Sequence, residues 1–69
     1  MNTVKFNQLS IHMQYKAIKL MSDNGSSFEG SLADLYQVAD LKNQDILYKS
    51  FKNVFNKWAV DAKNLYGIA

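Results

Sequence analysis

The chain has no cysteine, no proline and no arginine, and only one histidine, one tryptophan and three glycines among its 69 residues. Without cysteine no disulfide can form, and with a single histidine a zinc cluster of the usual Cys/His type cannot be assembled. The common staples of very small proteins are therefore missing, and good helix packing or self-association must stabilise the fold. The lack of cysteine fits a reducing compartment. No apolar run approaches the roughly 18 residues of a membrane span, and the stretch from Met1 to Gln8 has no uninterrupted apolar segment of the leader type. The expectation is a cytoplasmic protein with no membrane association. All eight basic residues are lysine. Arginine supplies the planar fork that reads guanine or clamps phosphate, so its absence argues against a sequence-specific nucleic-acid reader, although lysine alone can grip a backbone. Richness in Lys and Asn together with no Arg and no Pro points to an AT-rich genome, such as that of a phage or other mobile element.

What is present is ordinary for a folded domain: 48% hydrophobic residues, 20% charged, and a net charge of +2. That is too apolar for a disordered chain. A chain of this length buries only about 60% of its unfolded surface, so the expectation is one domain over residues 1–69 with a small, efficient core.

From Asn43 to Tyr66 the chain contains no Gly or Pro, and Leu47, Phe51, Val54, Phe55, Trp58, Ala62 and Leu65 recur at steps of three and four. That spacing predicts one long amphipathic helix over residues 43–66. Gly67 marks its end, with Ile68 folding back on the last turn. A first helix is predicted over residues 7–22, with Asn7 as N-cap and Phe6 stapled onto Ile11. Leu9, Met13, Ala17, Leu20 and Met21 form one apolar face of it, and Ile11, Tyr15 and Ile18 a second, leaving a narrow polar strip of His12, Lys16 and Lys19. Alternation of Leu9, Ile11, Met13 and Tyr15 with polar residues would also suit a strand, but the segment is long for one and its Met, Lys, Gln and Ala are good helix formers. Asp23 to Gly30 is dense in turn residues and reads as the one extended loop. Ser31 and Asp34 then resemble a capping box opening a short helix over residues 31–39, with Leu32, Leu35, Tyr36 and Ala39 on one face and Asp40 to Lys42 as a tight connection. The predicted fold class is all-α: three helices, the last the longest, with a helix-turn-helix-like segment from Ser31 to Trp58.

That segment bears on function. With Ala33 as the small residue of the first helix, Leu32, Val38 and Ile46 fall where helix-turn-helix motifs keep apolar residues. Gln37 stands where the turn favours Gly, and Asn43 where the second helix favours an aliphatic residue, so the likeness is generic. Under this reading Asn43, Gln44 and Lys49 would approach base edges, while Lys49, Lys52, Asn56 and Lys63 would track a phosphate backbone from one strip of the long helix. The bland alternative is the solvated face of a surface helix. Tyr48, Phe51, Phe55, Trp58 and Tyr66 could stack on single-stranded nucleic acid, but their helical spacing assigns them to the core.

A different surface carries the leading expectation. Ile11, Tyr15 and Ile18 on the first helix, with Ile46 and Val60 on the polar side of the last, offer more apolar surface than one small core needs. They are the candidate protein interface. Catalysis has little to stand on. His12 lies on the polar strip with no evident partner, the six carboxylates are scattered, and neither a calcium-loop nor a phosphate-cradling pattern is present. The sequence thus predicts a non-enzymatic binding protein, a small regulator or inhibitor, without cofactor, metal or small-molecule substrate. Its partner would be another protein or a second copy of itself, with duplex DNA as the alternative.

Overall fold

A computed structural model describes residues 4–67, and among them every regular element is a helix. A 3-10 turn, Phe6–Gln8, precedes α1 (Ile11–Asn24), α2 (Ser27–Val38), α3 (Leu41–Ser50) and α4 (Lys52–Tyr66). The all-helical class therefore holds, with four helices in place of three. The Cα radius of gyration, 11.0 Å, matches the roughly 11 Å of a compact chain of this length.

Helices α1, α2 and α3 each start where a short polar side chain accepts from an otherwise unpaired backbone N–H, whereas α4 follows Phe51, which makes no such bond. Ser10 Oγ accepts from the N–H of Met13 at 3.2 Å, so Ser10 rather than Asn7 caps α1. Ser26 Oγ accepts from the N–H of Glu29, and Glu29 Oε1 accepts from the N–H of Ser26 at 3.0 Å, completing a capping box. This box converts most of the expected Asp23–Gly30 loop into the first turn of α2. Asp34, expected to close a box with Ser31, instead accepts from the hydroxyl of Ser22 across the α1–α2 contact. Asp40 Oδ1 accepts from the N–H of Asn43 at 2.9 Å, and α3 begins at Leu41.

The predicted long helix is broken at Phe51, whose φ of −130° and ψ of 42° leave the helical region. No Gly or Pro causes the break. A straight helix would separate Tyr48 and Phe55 by about 10 Å along its axis, at 1.5 Å per residue. With the break, their ring centroids stand 5.9 Å apart and both rings flank Phe6. Tertiary aromatic packing thus overrides local helix continuity.

The core forms where α1 lies against α4 and α2. From α4 come Phe55, Trp58, Ala59 and Ala62, at helical spacing; from α1 come Ala17, Ile18 and Met21; from α2 come Leu32 and Ala33. Four fully buried or nearly buried alanines, Ala17, Ala33, Ala59 and Ala62, let the helix backbones approach closely. Phe6 is the plug of this core. Only 2% exposed, it meets Tyr36 edge-on at 5.6 Å and Phe55 at 5.2 Å, rather than stapling to Ile11. Leu35, Leu65 and Tyr66, expected on apolar faces, are exposed, and Lys16 Nζ lies 4.4 Å from the Tyr66 ring centroid. Ile68 lies outside the described residues. Among the described residues no helix is long and apolar enough to cross a membrane.

A polar clasp secures the Phe6 plug. Asn56 Oδ1 accepts from the N–H of Phe6 at 2.8 Å and from the hydroxyl of Tyr48 at 3.0 Å, with Asn7 Oδ1 3.4 Å from the same hydroxyl. One amide oxygen therefore ties the N-terminal turn to α3 and α4.

Candidate protein-docking groove

The caps that set the helix starts also decide what reaches the surface. With Ser10 and Asp40 as caps, the first helical positions fall to Ile11 and Leu41, at the ends of α1 and α3, beyond the reach of the core. They are 79% and 84% exposed, and Tyr15, one turn along α1 from Ile11, is 60% exposed. Ile11, Tyr15 and Leu41 converge on a groove of about 350 Å³, whose other lining residues are Gln14, Ile18, Tyr36, Gln37 and Gln44. A smaller recess of about 200 Å³ shares Ile11, Gln14, Tyr36, Leu41 and Gln44 and reaches Asn7, Asp45 and the edges of Phe6 and Tyr48.

Two glutamines brace the walls. Gln14 Nε2 donates to the carbonyl of Leu9 at 3.1 Å, and Gln44 Nε2 donates to the carbonyl of Tyr36 at 2.9 Å. The second bond holds the start of α3 against the end of α2. Tyr36 lines the groove, and desolvation by burial pushes its phenol above its ordinary pKa. Asp45, the one charged residue of the recess, is paired with Lys49 Nζ at 2.9 Å.

Of the expected protein-interface residues, Ile11 and Tyr15 line this groove together. Ile18 also lines it, but at 3% exposure it belongs to the core and forms the floor rather than a contact surface. Ile46 is half exposed but outside the groove, and Val60 is partly buried on α4, so neither adds to a single patch with Ile11. Leu41 was missed because residues 40–42 read as a connection; the Asp40 cap three residues before Asn43 was the signal for a helix start there.

The expected nucleic-acid residues do not form one strip. The break at Phe51 puts Lys49 on α3 and Lys52, Asn56 and Lys63 on α4. Asn56 is turned inward as the acceptor of the clasp, and Gln44 spends its amide on Tyr36. Asn43, Lys49, Lys52 and Lys63 are exposed.

Elsewhere, Glu29 lies below its ordinary carboxyl pKa because the backbone N–H of Ser26 donates to it and Lys57 Nζ lies 3.3 Å away. His12 is exposed on α1. No three His, Asp or Glu side chains among the described residues converge as metal ligands would. No protein-family model matches this chain, and neither a curated protein nor a solved structure matches it.

Proposed function

We propose that this chain is a small non-enzymatic binding protein, a regulator or inhibitor that docks a partner protein in the groove at Ile11, Tyr15 and Leu41. The observation that carries this reading is the convergence of three largely exposed apolar side chains, from the starts of two helices, on one concave surface. Buried hot spots at protein interfaces are apolar or aromatic anchors seated in pockets, and scattered exposed apolar residues would not make one. The groove is braced by Gln14 and Gln44, so its shape is held before a partner arrives. The partner is a distinct protein or a second copy of the chain, and solution mass over a concentration series separates the two. The test of the groove is the Ile11→Lys/Leu41→Lys double variant, which changes two exposed positions: it loses the partner while keeping the wild-type circular dichroism. Retention of the partner by the double variant refutes the reading.

A second reading is DNA binding through α2 and α3. What favours it is the two-residue connection, Ala39-Asp40, between successive helices, with Asn43 and Lys49 exposed on the second. The inward roles of Gln44 and Asn56 remove two of its contacts. A salt-sensitive electrophoretic shift on random duplex would favour it over the groove reading.

A further inference from the structure

Asn24 and Gly25 form the corner between α1 and α2, and they carry a chemistry that the groove does not use. Of the seven asparagines in the chain only Asn24 precedes a glycine; the other six precede Thr, Gln, Gln, Val, Lys and Leu. A backbone nitrogen can attack the side-chain carbonyl carbon of the asparagine before it, closing a five-membered ring, and a side chain on the attacking residue hinders that approach. Glycine has none. Here the glycine is imposed by the fold, since a Cβ at Gly25 would stand 2.5 Å from the carbonyl oxygen of Met21 and 2.8 Å from Glu29 Cβ. Asn24 is exposed to water, the second reactant.

One contact restrains the reaction. The nitrogen of Gly25 donates its N–H to the carbonyl of Met21 at 2.9 Å, the closing bond of α1, and Asn24 is the last helical residue. While that bond stands, the nitrogen keeps its proton and Asn24 keeps the helical backbone angle that the attack must abandon. Helix ends fray at little free-energy cost, so the bond opens locally without global unfolding.

We propose that Asn24–Gly25 is a site of spontaneous covalent modification, at which the chain converts to aspartate and isoaspartate at a rate set by the opening of the last hydrogen bond of α1. The Gly25 nitrogen loses its proton to solvent base and bonds to Asn24 Cγ, and the side-chain amide nitrogen leaves as ammonia. Water then opens the ring. Cleavage at Cγ restores the normal peptide with an aspartate, and cleavage at the main-chain carbonyl leaves the chain running through Cβ and Cγ as isoaspartate. Either product puts a carboxylate at the C-terminal end of α1 beside Asp23, where the helix dipole disfavours negative charge, and in the recess that Asn24 shares with Asp61 of α4. Isoaspartate also lengthens the main chain by one methylene next to a connection of only two residues, Gly25 and Ser26, and so disturbs the capping box of Ser26 and Glu29. The modified corner is less stable than the native one.

The test incubates the wild-type chain at neutral pH, folded and in urea, and follows the amide-to-acid mass change by peptide mapping, with isoaspartate separated from aspartate by chromatography. Conversion is expected at Asn24 ahead of every other asparagine in both states, with the folded chain slower by roughly 5- to 30-fold, as an opening of about 1–2 kcal/mol gives. Hydrogen exchange at the Gly25 N–H should show a comparable slowing, because it needs the same bond broken. Ser26→Ala, which removes the neighbouring cap without touching either reacting residue, should raise the folded rate. The isolated isoaspartate fraction should melt below the fresh chain. A folded chain that stays unmodified while the unfolded chain converts fully overturns the proposal, and so do equal rates in the two states or first conversion at another asparagine. An isoaspartate fraction with an unchanged melt refutes the loosening of the corner.

Discussion

Asn56 is the residue whose replacement most sharply tests how this small core is held. Truncation in Asn56→Ala removes one oxygen and strands the N–H of Phe6, while the hydroxyl of Tyr48 exchanges its 3.0 Å bond for the longer one to Asn7 Oδ1 at 3.4 Å. An unsatisfied buried polar group costs about 1–3 kcal/mol, and since the N–H of Phe6 is only part-buried the lower end applies, about 1–2 kcal/mol including the weakened Tyr48 bond. At roughly 0.05–0.15 kcal/mol per residue the whole domain is worth only about 3–10 kcal/mol, so the loss is a large fraction of it. The thermal midpoint should fall by about 4–16 °C, at roughly 4–8 °C per kcal/mol for a domain of this size. Urea titration followed by the fluorescence of Trp58, the only tryptophan, measures the free-energy loss, and a thermal melt measures the midpoint. Asn56→Asp keeps the acceptor and should lose less. Tyr48→Phe removes one donor, and its cycle with Asn56→Ala should show a coupling of about 0.5 kcal/mol or more. If Asn56→Ala is within about 0.5 kcal/mol of wild type, the size of a neutral surface change, the clasp does not hold the N-terminal turn.

Phe6→Ala empties the aromatic site between Tyr36, Tyr48 and Phe55 and should cost about 3–5 kcal/mol, enough to leave the chain partly unfolded at 25 °C by circular dichroism. Ser26→Ala removes the N-cap of α2 and should cost about 0.5–2 kcal/mol in the same urea assay. The Glu29 carboxyl is depressed below its ordinary value of 4.5, so the unfolded chain takes up the proton first: its stabilising share is complete above about pH 4.5 and is lost as pH falls through the lower folded value, and Glu29→Gln should flatten the stability profile across that window. Gly25→Ala should destabilise, because the new Cβ would stand 2.5 Å from the carbonyl oxygen of Met21 and 2.8 Å from Glu29 Cβ, a clash seen as a lowered thermal midpoint.

The helical class was legible because periodicity of three and four over long stretches leaves few alternatives. The core face of α4 was legible for the same reason, with Phe55, Trp58 and Ala62 buried as their spacing requires. The break at Phe51 was not, since it arises from the packing of Tyr48 and Phe55 around Phe6, residues far apart in sequence, and leaves no local mark. The start of α2 was legible in principle: Ser26 and Glu29 spell a capping box, but Gly25 and Gly30 beside them outweighed it as turn signals. On the candidate surface, the wheel put Ile11, Tyr15 and Ile18 on one face, and Ile11 and Tyr15 are exposed, but Ile18 lies two turns further along α1 than the exposed end at Ile11 and is buried there, a difference along the axis that a wheel does not register. Asn56 and Gln44 looked like polar surface positions because a wheel does not register hydrogen bonds to other elements.

The central claim, that the chain acts through the groove between α1, α2 and α3, is tested most directly by the affinity of its isolated complex with and without the two exposed anchors. Replacing Ile11 and Leu41 by lysine should weaken the complex by tenfold or more, about 1.4 kcal/mol, while the urea midpoint stays at the wild-type value. An unchanged dissociation constant in a folded double variant would contradict it.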